Sequence, residues 1–254
     1  MRAVRLFVIG AGLALLWQLI VVITGAPAYI LPGPLPVARA IVSHLPQLLY
    51  HLQTTFSEIL LGLILGTLLG VSSALAMTIM PRLKQWMLPV LVMSQAIPVF
   101  ALAPVLVLWL GYGMASKVGM TVLIIFFPVC SSFYYGMQRI NPDLLELARI
   151  MNGSRLATLR HIIIPSALPS FAAGVRVAAA VAPIGAVVGE WVGSSSGLGF
   201  YMLHANGRMQ IDLMFAALTV LSIASLMLYF FIDYSLNRLV FWENSKEVRH
   251  AVQP

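Results

Sequence analysis

Gly193, Ser195 and Gly197 stand in the order G-x-S-x-G, and His204 follows shortly after. A serine in that pattern becomes a nucleophile when a strand-to-helix elbow lifts its hydroxyl toward a base. Here it lies in a glycine- and serine-rich stretch beside a strongly apolar run, so acyl transfer is disfavoured. The other candidates for chemistry are polar side chains inside apolar stretches: Gln95, Arg176, Glu190 and Asp233. Such groups are expensive in hydrocarbon and line pathways or pair with one another. Gln95 and Glu190, with their neighbours Pro98 and Trp191, are the candidates for a translocation path or gate. Arg176 and Asp233 are expected to pair or snorkel near one membrane surface. The single cysteine, Cys130, excludes an intrachain disulfide, and His44 and His51 have no carboxylate or cysteine nearby in sequence to complete a metal site, so they read as surface residues. No G-x-x-x-x-G-K-[ST] occurs, so that route to nucleotide binding is closed.

The elements that must position these residues are membrane helices. Of the 254 residues, 60% are hydrophobic and 9% charged, with a mean hydropathy of +0.95. Lipid, not water, is the solvent for most of such a chain. The net charge of +7 is spread over the stretches between apolar runs, which argues against a nucleic-acid surface. Six segments have the roughly 20 apolar residues that a crossing needs: about Val4 to Ile23, Phe56 to Met80, Met87 to Leu110, Val118 to Tyr135, Ser166 to Gly189 and Leu213 to Leu236. The first exceeds the length of a signal-peptide core and is expected to be a retained span despite the Ala26-Pro27-Ala28 that follows it. With a cytoplasmic N-terminus, the inner side holds Arg2, Arg5, Arg82, Lys84, Arg139, Arg149, Arg155, Arg160, Arg238, Lys246 and Arg249, whereas the outer side holds Arg39, Lys117 and Arg208. The positive-inside rule therefore places both termini in the cytoplasm. The expected fold class is all-α, a polytopic bundle of six transmembrane helices forming one domain over residues 1–254. Its parts are a first span with an outer amphipathic segment (1–53), a five-helix core (54–240) and a cytoplasmic tail (241–254).

Gly62, Gly66, Gly70 and Ala74 recur every fourth residue in the second span, and Gly174 and Ala178 repeat the spacing in the fifth. Small residues at that interval let helix backbones approach closely, so both spans are expected in the middle of the bundle. Pro89, Pro98 and Pro104 in the third span and Pro169 and Pro183 in the fifth favour kinks and a path between those spans.

Residues 137–165 break the apolar pattern. A crossing here would bury Arg139, Asp143, Glu146, Arg149, Arg155 and Arg160 at about 2.5–3.5 kcal/mol for each of the charges on the lenient scale. Asn141-Pro142-Asp143 is a helix-start signal, and Asn152-Gly153 a stop. Leu144, Leu147, Ala148 and Met151 share one face. Ser154 can cap a second short helix carrying Leu156, Leu159 and Ile163, and Pro165 marks the start of the fifth span. The insert thus reads as two small amphipathic helices with a sharp turn, presented to the cytoplasm and in need of a docking partner.

At these residues the chain resembles the permeases of binding-protein-dependent bacterial ABC importers. Their cytoplasmic signature is matched by Glu146, Leu147, Ala148, Asn152, Ile162, Ile164 and Pro165, with Asn152 where glycine is usual and Gly153 one step later. The stretches "LPGPLPVARAI", "SQAIPVFALAPVLVLWLGYGMASKV" and "VVGEWVGSSSGLGFYM" are similar to the nitrate, taurine, alkanesulfonate and thiamine-precursor branch, with most similarity to hydroxymethylpyrimidine permeases. The resemblance implies the type I importer permease fold in the bacterial inner membrane, paired with a second copy as a homodimer. It implies ABC ATPase subunits that bind ATP and Mg, with no cofactor on this chain, and an extracytoplasmic substrate-binding protein. Glu146, Ala148, Arg149, Asn152, Gly153, Ser154 and Pro165 would form the ATPase-coupling loop. Glu190 and the Gly-Leu-Gly that follows it recur across that branch irrespective of cargo, which implies a gate or structural role. A secondary transporter is the other reading, disfavoured because no internal inverted repeat is evident.

Overall fold

The computed structural model describes residues 2–242, and all of their regular structure is helical. Lys246 and Arg249 of the expected tail lie outside the described residues. The chain runs through α1 (Arg2–Thr24), α2 (Pro34–Ser43), α3 (Leu45–Ile79), α4 (Pro81–Ala96), α5 (Val99–Leu110) and α6 (Met114–Gln138). It continues through α7 (Pro142–Ile150), α8 (Arg155–Thr158), α9 (Ile164–Gly193), α10 (Leu198–Gly207) and α11 (Ile211–Leu239). Prolines in the first turn of α2, α3, α4 and α7 start these helices where no intrahelical N–H is needed. Helices α3, α6, α9 and α11 are each long and apolar enough to cross a membrane, and α1 is an apolar helix of 23 residues.

The third expected span is not one rod. It divides into α4 and α5, bent by 105° at Ile97-Pro98. Proline forces the residue before it out of the helical region, and Ile97 is extended at φ −81°, ψ 123°. Pro89 and Pro104, by contrast, remain inside helices.

Hydrocarbon supplies no hydrophobic force between helices, so the bundle is held by close backbone contact. The stripe Gly62, Gly66 and Gly70 of α3 lies on α6, against Thr121, Ile125 and Val129. On an adjoining face, with Thr121 shared, Gly174, Gly185 and Gly189 of α9 approach Pro128 and Ser132, Thr121, and Lys117 of the same α6. Helix α9 takes the middle position expected of it, being the most buried of the long helices and packed on α3, α5, α6, α10 and α11, while α3, expected there too, turns a broad face outward. The sequence of α6 hid its close packing on both, because the small residues that permit the contact belong to its neighbours. On α3 the residues between the glycines, Leu61, Ile64, Leu65, Leu68 and Leu69, point outward as a lipid-facing surface. Helix α1 is tied to α11 by Trp17, stacked on Phe215 at 5.8 Å. Arg176 of α9 bonds Asp233 and Asn237 of α11, each at 2.7 Å, which is the local pairing expected of it.

A methyl group at Gly185 would meet the Thr121 Cα at 2.6 Å, whereas at Gly12 it would meet nothing within 4 Å. Gly185→Ala is therefore expected to destabilise the bundle by about 1–3 kcal/mol, as overpacking does. Thermal unfolding of the purified protein should show a lowered midpoint for Gly185→Ala and an unchanged one for Gly12→Ala.

Candidate functional site

Two polar assemblies occupy opposite ends of the α3–α6–α9 core. At one end Thr78 of α3 donates to Met137 of α6, beside the start of the 137–165 insert. At the other, the beginnings of α3 and α6 meet the end of α9. Glu190 lies 26 residues along α9 from Ile164, on the order of 39 Å away at 1.5 Å per residue.

Helix α7 of the insert begins as its residues dictate, with the Asn141 side chain accepting from the Asp143 N–H at 3.0 Å. Its end is built on Asn152, which takes the left-handed conformation at φ 53°, while the Gly153 N–H donates to the Ala148 carbonyl at 2.9 Å. Asparagine tolerates that conformation, which is why the turn forms without glycine at position 152. Ala148 is buried beneath the turn, and a side chain at Gly153 would press on the Ala148 carbonyl at 3.0 Å. Ser154 caps the next turn by accepting from the Ala157 N–H at 3.2 Å.

The second short helix is not a separate element. The single turn α8 passes through a π-helical stretch, Leu159–Ile163, straight into α9, with the Ile164 N–H bonded to the Leu159 carbonyl five residues back. A widened turn at this point absorbs the missing N–H and ring bulk of Pro165. Pro165 thus sits in the first turn of α9 instead of interrupting the chain.

Glu146 and Arg149 are exposed on α7, and neither makes an ion pair among the described residues. Around them Ile150, Met151 and Leu156 are 81%, 73% and 72% exposed. So much bare apolar surface beside charged groups is more than an isolated surface loop ordinarily exposes. A cleft of about 800 Å3 separates the insert from the end of α3, walled by Ile79, Leu145, Arg149, Leu156 and Ile163.

The opposite end is a buried knot. Glu190, 1% exposed, accepts from Thr55 Oγ1 at 2.6 Å through one carboxyl oxygen and from the Gly199 and Phe200 N–H groups through the other. Thr55 in turn accepts from the Leu198 N–H at 2.7 Å, and His51 Nδ1 accepts from the Gly197 N–H at 3.1 Å. The backbone at Gly197 has φ +108°, and a Cβ there would overlap the Glu190 carboxyl group. Glycine at 197 is therefore required twice, by conformation and by space. The loop wraps its amides round a carboxylate and fastens α10 to α3 and α9. Tyr201 stacks on His51 at 4.6 Å, and burial pushes its phenol above the ordinary value, with Arg208 acting in the opposite sense.

Lys117 donates to the Tyr112 and Gly113 carbonyls, and its charge faces Glu58 and Glu190. Glu58, also 1% exposed, faces Lys117 and Glu190, and its carboxyl group lies within hydrogen-bonding reach of the Glu190 carboxyl. Sequence reasoning named Glu190 but missed His51, Thr55, Glu58 and Lys117, and placed His51 on the surface. Glu58 carried a usable signal, being an acidic side chain inside an apolar run. Glu190 is buried in this network at the edge of a cleft of about 410 Å3, which it lines together with the exposed Trp191, Tyr112, Phe200 and His204. Gln95 and Pro98 are exposed at the α4–α5 bend, away from the knot. Ser195 is exposed in the loop after α9, has no hydrogen bond to His204, and stands on no strand among the described residues.

Residues 62–241 match the family described as binding-protein-dependent transport system inner membrane component. A probable ABC transporter permease protein of Haemophilus influenzae is 52% identical over 92% of this chain and 96% of its own. The formylaminopyrimidine transport permease protein of Halalkalibacterium halodurans is 35% identical over 92% and 94%. The riboflavin transport system permease protein of Chloroflexus aurantiacus is 38% identical over 92% and 88%. Permeases named for aliphatic sulfonates and taurine match at 29% and 28%. A crystal structure of an amino acid ABC transporter shares the fold, with a TM-score of 0.62 at 15% identity over 79% of this chain and 95% of that one.

Removing the Glu190 carboxylate leaves two buried N–H groups and Thr55 without their acceptor. Glu190→Ala is expected to cost about 1–3 kcal/mol for each donor so orphaned. In a double-mutant cycle with Thr55→Val, measured by unfolding of the purified protein, the two losses should be strongly non-additive. Additive losses would mean that the knot does not act as one unit.

Proposed function

Since the chain belongs to the binding-protein-dependent transport system inner membrane components, as a multi-pass ABC importer permease and not an enzyme, we propose that it carries a pyrimidine precursor of thiamine, such as hydroxymethylpyrimidine, across the bacterial inner membrane. The observation that supports the transport mechanism is the exposed apolar face of the insert. The chain has no P-loop, so energy must enter through contact, and Ile150, Met151 and Leu156 offer that contact. On this reading both termini are cytoplasmic, and two copies of the chain form the path. Each insert docks on an ABC ATPase that binds ATP and Mg. A substrate-binding protein delivers the solute to the opposite face, and closure of the ATPases drives the inserts between two states that contact the motor differently. Glu146, Ala148, Arg149, Asn152, Gly153, Ser154 and Pro165 are the coupling residues: the charged pair and apolar rim touch the motor, and the turn sets their angle. Gln95, Pro98 and Trp191 are the path candidates, and Glu190 holds the outer end of α9 closed.

The cargo reading is supported by relatives named for planar nitrogen heterocycles, formylaminopyrimidine and riboflavin, which match at 35% and 38%, above the 29% and 28% of the sulfonate and taurine permeases. An aliphatic sulfonate, taurine or nitrate is the alternative within the same machinery.

In vesicles carrying the permease, its ATPase and its binding protein, hydroxymethylpyrimidine should accumulate with ATP and continue to do so when ion gradients are collapsed. Uptake of taurine in its place would overturn the cargo, and uptake without the ATPase would overturn the mechanism. Glu146→Lys, or two residues inserted at Gly153, is expected to reduce uptake at least ten-fold while the bundle stays folded. Undiminished uptake and ATPase co-purification in both would contradict the coupling role.

A further inference from the structure

Between α6 and α9, just above the insert, lies a groove of about 290 Å3 lined by Ser131, Ser132, Tyr135, Arg139 and Ser170. Gly136 and Ala173 form its floor. Ser131 is bonded to the Phe127 carbonyl at 2.7 Å. Among the described residues the hydroxyls of Ser132, Tyr135 and Ser170 and the Arg139 guanidinium have no hydrogen-bond or ion-pair partner. Acidic side chains do not contribute to its lining.

The depth of the groove is set by the chain. Ser132 precedes the end of α6 at Gln138 by six residues, and Ser170 follows the start of α9 at Ile164 by six, so both lie on the order of 9 Å inside the helix ends. A helix face turned to lipid at that level looks like that of α11, where Ile223, Leu226, Met227, Phe230 and Phe231 stand exposed. Free hydroxyls on such a face would each lose their water with nothing in exchange, while Arg139 stands at the end of α6 and lines the groove from there. This wall of α6 and α9 therefore faces water.

Its two sides also move together. A Cβ at Gly136 would meet the Ser170 side chain at 2.6 Å, and one at Gly174 would meet Ser132 at 2.7 Å, so the backbones are in contact through the groove floor. The insert hangs from both strands of this pair: α6 leads into it and α9 leads out. Any displacement of the insert must carry the groove with it.

We infer that this groove is a solute-binding station on the inner half of the transport path, taking an acceptor-rich or anionic solute through hydroxyl donors and the Arg139 guanidinium, and turned in or out of contact with the cytoplasm by the motion of the insert. It rests on the importer reading and the orientation given above, but not on the choice of cargo. Donors without an acidic partner select for ring nitrogens, carbonyls, sulfonates or carboxylates and against cations. The groove complements the path candidates of the bend, since it is tied to the insert by covalent connection.

The test uses the complete transporter, with ATPase and binding protein, carrying Ser132→Cys or Ser170→Cys. The native Cys130 is fully buried and serves as the unreactive background. Inverted membrane vesicles are exposed to a charged, membrane-impermeant thiol reagent. Without nucleotide both cysteines should react, and trapping with ATP and vanadate should slow the reaction at least ten-fold. Millimolar hydroxymethylpyrimidine or taurine should protect them, and Arg139→Gln should abolish that protection while Ser132→Cys still reacts. Protection by taurine alone would overturn the pyrimidine cargo and leave the station standing. Cysteines inert in every state, a copper-catalysed disulfide between two copies, or reaction that neither solute slows would each overturn the station. Ile223→Cys, on the lipid face, should remain unlabelled throughout.

Discussion

Hydrocarbon does not press apolar helices together, and it offers no partner to a stray polar group. Both halves of that constraint are visible in this chain. Helix α6 is held because glycines on α3 and α9 let two backbones close on adjoining faces of it. Polar side chains survive at the end opposite the insert because they are gathered into one knot, in which the loop amides of Gly199 and Phe200 wrap the Glu190 carboxylate. Where polar groups are not gathered, as along the inner groove of α6 and α9, the same constraint argues that water, not lipid, is beside them.

Mechanics follow from this packing. The α6–α9 pair is in backbone contact from Gly136 and Ser170 at one end to Lys117 and Gly189 at the other. It joins the insert at one end to the Glu190 knot at the other. The α8 turn feeds into α9 through the π-helical stretch without a break, so a push on the insert is transmitted along a helix and not lost in a loop. The bent α4–α5 element joins that pair through α5, whose Ala103 packs with Met120 of α6 and Val188 of α9. Its break at Ile97-Pro98 leaves Gln95 and Pro98 exposed.

Much of this was legible beforehand. Spans, the insert and its caps were readable because each rests on local rules: apolar length, the Asn141-Pro142-Asp143 start, the small-residue interval of Gly62, Gly66 and Gly70. Asn152 could be read as a turn residue for the same reason, and Glu190 could be linked to its Gly-Leu-Gly through resemblance. What was not legible depends on which helix lies beside which. His51 looked like a surface residue because its partner, the Gly197 N–H, is far away along the chain. Thr55 and Lys117 are ordinary residues until α9 brings Glu190 between them. The close packing of α6 on α3 and α9 was hidden because glycines on those neighbours create it. The 105° bend was underestimated because proline composition signals a kink but does not give its size.

The central claim is that residues 141–165 form a docking face on the cytoplasmic side for a motor that this chain does not contain. Side-specific labelling of Ile150→Cys tests it most directly, since Ile150 is the most exposed apolar residue of α7. A membrane-impermeant thiol reagent should leave this cysteine untouched in intact cells, label it in inverted vesicles stripped of the ATPase, and fail to label it once the ATPase is restored. Labelling from outside intact cells, or labelling indifferent to the ATPase, would contradict the account.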